Sequence, residues 1–422
     1  MNNNDKEIIK ADVVIIGGGA AGMMAGAISS SLGTKVVILD KNKFFGEKLK
    51  ITGGGRCNIT NAKYDLHDFI SRYGEASKYL FSAFTQFGVK DTFDFFEKRS
   101  LPLKVEVGDR AFPITDKAED VYLALYNDLK KFNVKLKNNS QIKGVTIENN
   151  IIKNVFTDNE IYEANSFILA TGGMSHPETG STGDGFKWLK SFGHKVIDPS
   201  PSIVPLATEK VYKALQGTTL ADVKLTFKVD GKKSFAKNGN ILFTHFGISG
   251  PTILNSSAKV SELLHEGIVT LHIDIFPNLD ERAMRYKLVD LFDLNKNKNV
   301  KNVLAEIIPG ALVDIILAST NIPSDTKVHD VTIEMRRQVI LELKNFVLTI
   351  KSLMGLDKAV ISDGGISLDE IDTKTMQSKI VKNLFVVGDL LNVSRPSGGY
   401  SLQLCWTTGF IAGKNAVIKT SV

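Results

Sequence analysis

Four consecutive apolar residues at 13–16 (VVII) drop into a glycine-rich turn, a helical stretch of small residues follows, and a second apolar run at 36–39 ends on Asp40. Uninterrupted β-branched runs bounded by glycine are the mark of strands buried on both faces. The pattern therefore predicts a strand, a tight turn, a helix and a second strand. Phe, Leu and Tyr then recur at helical spacing over 69–98, and 117–131 is another amphipathic helix. Short alternating runs at 134–136, 142–147, 151–157 and 161–163 predict strands that include a three-stranded antiparallel meander. The run 167–173 (FILATGG) predicts a central buried strand ending in small residues, and 181–185 turns into a helix that ends near Gly193 and His194.

Beyond about Pro199 the hydrophobic period changes to two. Residues 223–229 alternate, Asp230 and Gly231 give a two-residue hairpin signal, and 232–235 run back. Residues 241–244 lead to a glycine-rich corner, 245–251, where Pro251 suits the first turn of a helix. Another alternating strand spans 269–276. The stretch 279–345 is helical and rich in Lys and Asn, without a chemical motif, and 346–350 returns to strand. Residues 359–365 bring the chain back, 384–389 (LFVVGD) is a strand tipped by an acid, and 398–404 (GGYSLQL) opens a helix running past Gly409 and Gly413. The expected fold class is α/β: a Rossmann-like domain with a parallel sheet and a three-stranded meander, interrupted by a β-barrel-like domain that carries a small helical domain. The expected boundaries are 1–195, 196–278, 279–345, 346–357 and 358–422.

Composition narrows this picture modestly. At 422 residues the chain can build more than one core, and 43% hydrophobic with 23% charged residues is ordinary for a soluble globular protein. A net charge of +6 favours an anionic cofactor or substrate but is not the footprint of a nucleic-acid binder. Cys57 and Cys405 are too few for a disulfide framework, which fits a reducing cytoplasm. No apolar run approaches the length of a membrane span, and the first residues lack the apolar core of a signal peptide. His176 and His194 are isolated, no His, Cys and carboxylate cluster has metal spacing, and no metal is expected.

The chemistry is concentrated in the first turn. Gly17 permits the tight turn, Gly19 lets a pyrophosphate approach the backbone, and Gly22 lets the helix lie close to the sheet. The phosphates then meet free N–H groups and the positive end of the helix dipole. Asp40, about 20 residues on, can accept both hydroxyls of an adenosine ribose. A glycine-rich turn in some other α/β protein is the bland alternative, but strand, helix and acid all stand in place. Next comes a polar, glycine-rich segment, 41–61, which reads as an irregular loop. Its Gly53, Gly54, Gly55, Arg56, Cys57 and Asn58 leave the sheet edge where the reactive end of a cofactor lies. The tip of the central strand, Thr171 and Gly172, passes beside the dinucleotide, and Asp389 is placed to hold a polyol chain.

Together the strings GGGAAG (17–22), KLKITGGGRCNITN (48–61), ATGGMSHPETGSTGDG (170–185), ILFTHFGISGP (241–251), SDGGISLDEID (362–372) and GGYSLQLCWTTG (398–409) resemble the two-dinucleotide-binding-domain flavoproteins. More narrowly the chain resembles the BaiN-like family, also labelled the aminoacetone-oxidase family of FAD-binding proteins. The resemblance implies non-covalent FAD. Gly17, Gly19, Ala20, Ala21 and Gly22 would hold its pyrophosphate, Asp40 the adenosine ribose, and the backbone near Ile142 the adenine, with Lys41 and Lys48 also among the cofactor-binding residues. Gly388 and Asp389 would hold the ribityl-phosphate region. Ser401, Leu402 and Gln403 would meet the isoalloxazine edge, with the loop from Gly53 to Asn58, Gly54, Gly55, Arg56 and Cys57 included, packed beside the ring. Relatives carry Glu where Asp389 stands and an Asp-rich loop where this chain reads NVSRPS (392–397), so Arg395 is an addition.

The leading expectation is an FAD-dependent oxidoreductase that reduces an activated C=C bond, such as that of an enone or steroid-like small molecule. His245, Tyr400 and Arg56 are the candidate proton donors or oxyanion partners, with Arg110 and Arg395 as anion anchors for the substrate. No second nucleotide motif is visible, so NADH or NADPH is expected only as a transient electron donor, or a partner protein supplies the electrons. An amine oxidase using oxygen is the first alternative. A flavin-bound RNA-interacting or scaffold protein is the second, although neither a nucleic-acid nor a membrane partner is expected. Substrate identity and oligomeric state stay open at this level.

Overall fold

The computed structural model describes residues 6–417. Among them the chain forms two compact units, one built from the segments before 202 and after 358 and the other from 202–358. Each has its own apolar core.

The first unit is built on a nine-stranded sheet. Its main path runs Ile371–Asp372, Gln377–Ser378, Leu384–Val386, Glu160–Leu169, Glu7–Ile16, Val36–Leu39, Lys135–Lys137. Glu7–Ile16 lies centrally and pairs in parallel with Val36–Leu39 and Glu160–Leu169, and Leu384–Val386 adds in parallel at the far side of the latter. Val13, Val14, Ile15, Val37, Ile38, Phe167 and Ile168 have no exposed surface, which is why these strands read as continuous apolar runs. The two ends of the chain therefore share one sheet.

Two helices lock that arrangement. Ala20–Ser31 follows the glycine turn and packs against Tyr400–Asn415 through small residues. A Cβ on Gly409 would lie 2.5 Å from the Ala21 carbonyl oxygen, and one on Gly413 2.6 Å from that of Ala25. The Ser29 hydroxyl donates to the Gly413 carbonyl at 2.8 Å. Glycine at these positions lets the two backbones touch.

Several expectations are corrected. The separate strands at 161–163 and 167–173 are one strand, Glu160–Leu169, because pairing with Glu7–Ile16 continues through Ala164 and Ser166, opposite Ala11 and Val13. Its first half also closes the antiparallel meander with Gly144–Glu148 and Ile151–Phe156. Ile142 precedes the first meander strand rather than lying in it. The irregular segment at 41–61 contains a short helix, Glu47–Ile51, and a 3-10 turn, Thr52–Gly55.

In the second unit, six strands close a barrel in the order Leu206–Thr208, Gly247–Ser249, Lys232–Phe243, Thr219–Val229, Val269–Asp274, Phe346–Leu353. Val223, Leu225 and Phe227 are fully buried while Lys224 is exposed, as a period of two requires. Asp230 (φ 45°) and Gly231 (φ 79°) make the tight turn of its longest hairpin. Helices Glu281–Asp293, Val300–Leu304, Gly310–Ser319 and Ile333–Lys344 belong to this unit and to its core.

Candidate cofactor site

The glycines of the first turn are there for different reasons. Gly17 has φ +108°, donates its N–H to the Leu39 carbonyl at 2.8 Å, and a Cβ there would lie 2.3 Å from the Ala170 carbonyl oxygen. A Cβ on Gly22 would lie 1.9 Å from the Gly17 oxygen, and one on Gly18 would enter the Phe45 ring. The fold itself requires these three. Gly19 is unlike them: φ is −82° and ψ −168°, which any residue adopts, and a Cβ would meet nothing within 4 Å. Gly19 is also the N-cap of Ala20–Ser31, with no side-chain cap and no acid in the first turn. Uncapped first-turn N–H groups facing open space form a cradle for an anion.

Asp40 stands at the rim of this cradle. Its Oδ2 accepts the Gly18 N–H at 2.7 Å and its Oδ1 the Asn42 N–H at 2.8 Å. Burial raises its pKa above the ordinary value of 3.8, opposed by those two N–H groups. A carboxylate has about four acceptor positions, so Asp40 keeps lone pairs for further donors such as the hydroxyls of a ligand. Lys41 is committed sideways, to Asp184 at 2.7 Å and to the Thr182 hydroxyl. Asn42 donates to the Thr179 carbonyl at 2.8 Å, so the 170–185 loop is tied to the same rim. Ile142 is buried just before the meander.

At the other end, Thr171 keeps a buried hydroxyl with no hydrogen-bond partner. Gly172 has φ +73°, and a Cβ on Gly173 would lie 2.3 Å from Ser362 Oγ and 3.4 Å from Asp389 Cβ. Gly388 (φ +66°) donates its N–H to Thr408 Oγ1 at 3.0 Å, and a Cβ there would lie 3.3 Å from Ala21 Cβ. The acid-tipped strand end thus rests on the first turn of the glycine helix. Tyr400–Asn415 starts at Gly399 (φ +103°), again without a side-chain cap or an acid in the first turn. With its amide oriented to satisfy its neighbours, Asn58 accepts the Gly399 N–H at 3.0 Å and donates to the Thr60 and Ala111 carbonyls. The Gln403 N–H donates to the Gly399 carbonyl at 3.0 Å, and its side chain is shared among Thr60, Thr92, Gly88 and Thr407. Gln403 therefore braces the site, while Ser401 and Leu402 supply the first-turn N–H groups.

The loop between them is ordered by its own contacts. Gly53, Gly54 and Gly55 all have positive φ and are exposed. Arg56 pairs with Glu106 and with Asp116 and lies 4.3 Å from the Phe112 ring centroid, and these carboxylates raise its pKa still further. Its guanidinium is a brace rather than a proton source. Cys57 is buried, which pushes its thiol up to about 12, so it packs rather than reacts. Lys48 donates to Ser175 Oγ at 3.3 Å, and burial lowers its pKa against the pull of Asp389.

The remaining predicted residues do not converge. Arg110 donates to the Val107 carbonyl at 3.1 Å. Arg395, expected at the substrate, is turned inward to Asp389, the Val393 carbonyl and Ser401. Tyr400 is buried against Phe69 and Tyr73, and burial raises its pKa. His245 is exposed beside Phe246 and belongs to the barrel unit. Gly18, Ser362 and Asn61 went unread. Gly18 could have been found as the middle of the glycine run. Ser362 accepts the Met174 N–H at 2.9 Å, and nothing in its local sequence signals that. Asn61 donates to the Gly108 and Gly398 carbonyls and leaves Oδ1 buried and unpartnered. Among the described residues no group of three His, Cys, Asp or Glu could hold a metal ion, and no helix is long and apolar enough to cross a membrane.

A mainly parallel sheet with an open anion cradle at one strand tip and an acid at another defines the class: a Rossmann-type nucleotide-binding fold. The chain belongs to the HI0933-like protein Rossmann domain family, whose profile matches residues 11–415. It is 28% identical over 407 residues to a 3-dehydro-bile acid delta(4,6)-reductase of Clostridium scindens, covering 95% of this chain and 98% of that protein. It is also 26% identical over 414 residues to a ribosomal RNA dihydrouridine synthase of Escherichia coli, covering 97% and 99%. Among solved structures, a 3-ketosteroid-delta4-(5alpha)-dehydrogenase of Rhodococcus jostii superposes with a TM-score of 0.54 at 13% identity, covering 97% of each chain. A flavocytochrome c3 fumarate reductase gives 0.55 at 16% identity, covering 96% of this chain and 78% of that one. These two likenesses concern the fold.

Proposed function

We propose that the protein reduces a C=C bond conjugated to a carbonyl group, with FAD held non-covalently between the glycine turn and the Asp389 strand. The observation that carries the FAD reading is Gly19, whose missing side chain the fold does not explain. When bound, the flavin supplies two-electron hydride chemistry. The chain does the rest. The first-turn N–H groups of Ala20–Ser31 hold the pyrophosphate, Asp40 holds the adenosine ribose, and Thr171 Oγ1 finds its missing partner on the cofactor. Asp389 orients the polyol chain, and the Ser401 and Leu402 N–H groups meet the pyrimidine edge, where the helix dipole favours negative charge. NADH or NADPH acts as the transient donor.

The relatives' names favour conjugated C=C reduction over amine oxidation. A delta(4,6) bond beside a 3-keto group and the double bond lost in forming dihydrouridine are both conjugated to a carbonyl. The first points to a small enone, the leading reading. The second supports uridine within RNA as an alternative, against the expectation drawn from net charge. Anaerobically reduced protein should be reoxidised by one of these two substrates and not by amines. Reoxidation by oxygen alone, with peroxide release from amines, overturns the proposal. Arg56 is committed to Glu106 and Asp116, which leaves Tyr400 as the proton-donor candidate within the same unit, and Tyr400→Phe tests it.

A further inference from the structure

Arg395 has a side chain 1% exposed, and its three partners lie on different parts of the site. Nη2 donates to Asp389 Oδ1 at the strand end, Nε donates to Ser401 Oγ at 2.9 Å in the first turn of the last described helix, and Nη1 donates to the Val393 carbonyl at 2.5 Å. One planar fork therefore joins the acid assigned to the polyol chain to the helix start assigned to the flavin ring. Lysine has no such fork.

A guanidinium is costly to bury, and replacing a buried ion pair with apolar side chains is often neutral or stabilising. Stability alone does not account for an arginine here. Its surroundings are also rich in positive charge. Lys48 lies close enough for both Asp389 and Arg395 to act on its ammonium, so two cations share one well-buried carboxylate. Glu178 also reaches Lys48, but its side chain is 60% exposed and its field is screened by water.

We propose that Arg395 is the positioning residue of the cofactor site: it fixes Asp389 against the helix start at Ser401 and supplies a buried positive charge that favours the reduced, anionic flavin. This rests on the FAD reading and adds to it. Removing Arg395 takes away a cation and also unmasks the Asp389 carboxylate, so both effects lower the reduction potential. Removing the Asp389 charge acts in the opposite direction.

The experiment compares wild type, Arg395→Gln, Arg395→Lys and Asp389→Asn. For each, FAD stoichiometry and dissociation constant are measured, followed by the midpoint potential at saturating FAD. Arg395→Gln should make two-electron reduction at least about tenfold less favourable, about 30 mV lower, and Asp389→Asn should move the potential upward. Arg395→Lys keeps the charge but not the fork. It should hold the reduction equilibrium within about threefold of wild type while binding FAD about tenfold more weakly. Unmoved potentials in flavin-replete Arg395→Gln and Asp389→Asn, or shifts of the same sign, overturn the inference and leave FAD binding intact. A wild type that takes up no flavin removes the FAD reading and this inference together. If Arg395→Gln does not fold, an upward potential in Asp389→Asn together with weaker FAD binding at near-wild-type potential in Arg395→Lys supports the inference, and an unmoved Asp389→Asn potential or wild-type FAD affinity in Arg395→Lys overturns it.

Discussion

Burial raises the Asp40 pKa, and the N–H groups of Gly18 and Asn42 only partly offset that. On the proposed FAD reading, the ribose hydroxyls need its carboxylate as an acceptor. Because the folded pKa lies above 3.8, Asp40 takes up a proton at a higher pH than an ordinary aspartate as the solution is acidified. FAD affinity should therefore fall on the acid side earlier than a model carboxylate would allow. The linkage runs the other way for the empty fold: a raised acid is most favourable below its unfolded pKa, and that stability is lost as pH rises through the folded value. Asp40→Asn should bind FAD at least about tenfold more weakly at neutral pH, losing an interaction of about 1.4 kcal/mol or more, and should show neither pH trend. Flavin fluorescence titrations and urea melts across the acid to neutral range measure both. An unchanged acid limb in Asp40→Asn would show that another group sets it. At this scale the tight turn at Gly17 and the place of Asp40 beside it were legible because both belong to one short strand–turn–helix unit. Arg395 was legible only as a charge, since its partner Asp389 and its depth depend on the folded chain.

The Ala20–Ser31 and Tyr400–Asn415 helices meet backbone to backbone at Gly409 and Gly413. Gly413→Val should destabilise the protein by about 1–3 kcal/mol, because its Cβ must displace the Ala25 carbonyl or move a helix. A lower urea midpoint at unchanged slope reads this, and an unchanged midpoint contradicts the packing. Elements were legible where burial imposes a period. The parallel strands at 13–16 and 36–39 show as apolar runs and the long barrel hairpin as alternation. The strand Glu160–Leu169 was split in the reading because Ala164, Asn165 and Ser166 break its apolar run while pairing carries on. The barrel-like domain was expected from the alternation, but Leu206–Thr208 and Gly247–Ser249, which complete its closure, are too short to show a period and appear only in the structure. The helix Glu47–Ile51 was hidden among lysines and flanking glycines.

Across the whole molecule, the central feature is that residues near both ends of the chain meet on one sheet, where the proposed cofactor cradle lies. Glu7–Ile16 and Leu384–Val386 flank the same strand, and Gly388 sits over Ala21. The family resemblance in motifs spread from 17 to 409 was readable because each is a local string. Which substrate the cradle serves was not, because the candidate acids His245, Tyr400 and Arg56 are far apart in sequence and in different surroundings.

Gly19→Leu tests the account most directly. The backbone there is extended and the space beyond it is open, so the variant should fold, losing no more than about 1 kcal/mol for a leucine at the helix N-cap. Released cofactor is then quantified from both purified proteins. The account predicts close to one FAD per wild-type chain and almost none in a folded Gly19→Leu protein. A colourless wild type that refuses FAD, or a Gly19→Leu protein carrying its full complement, contradicts it.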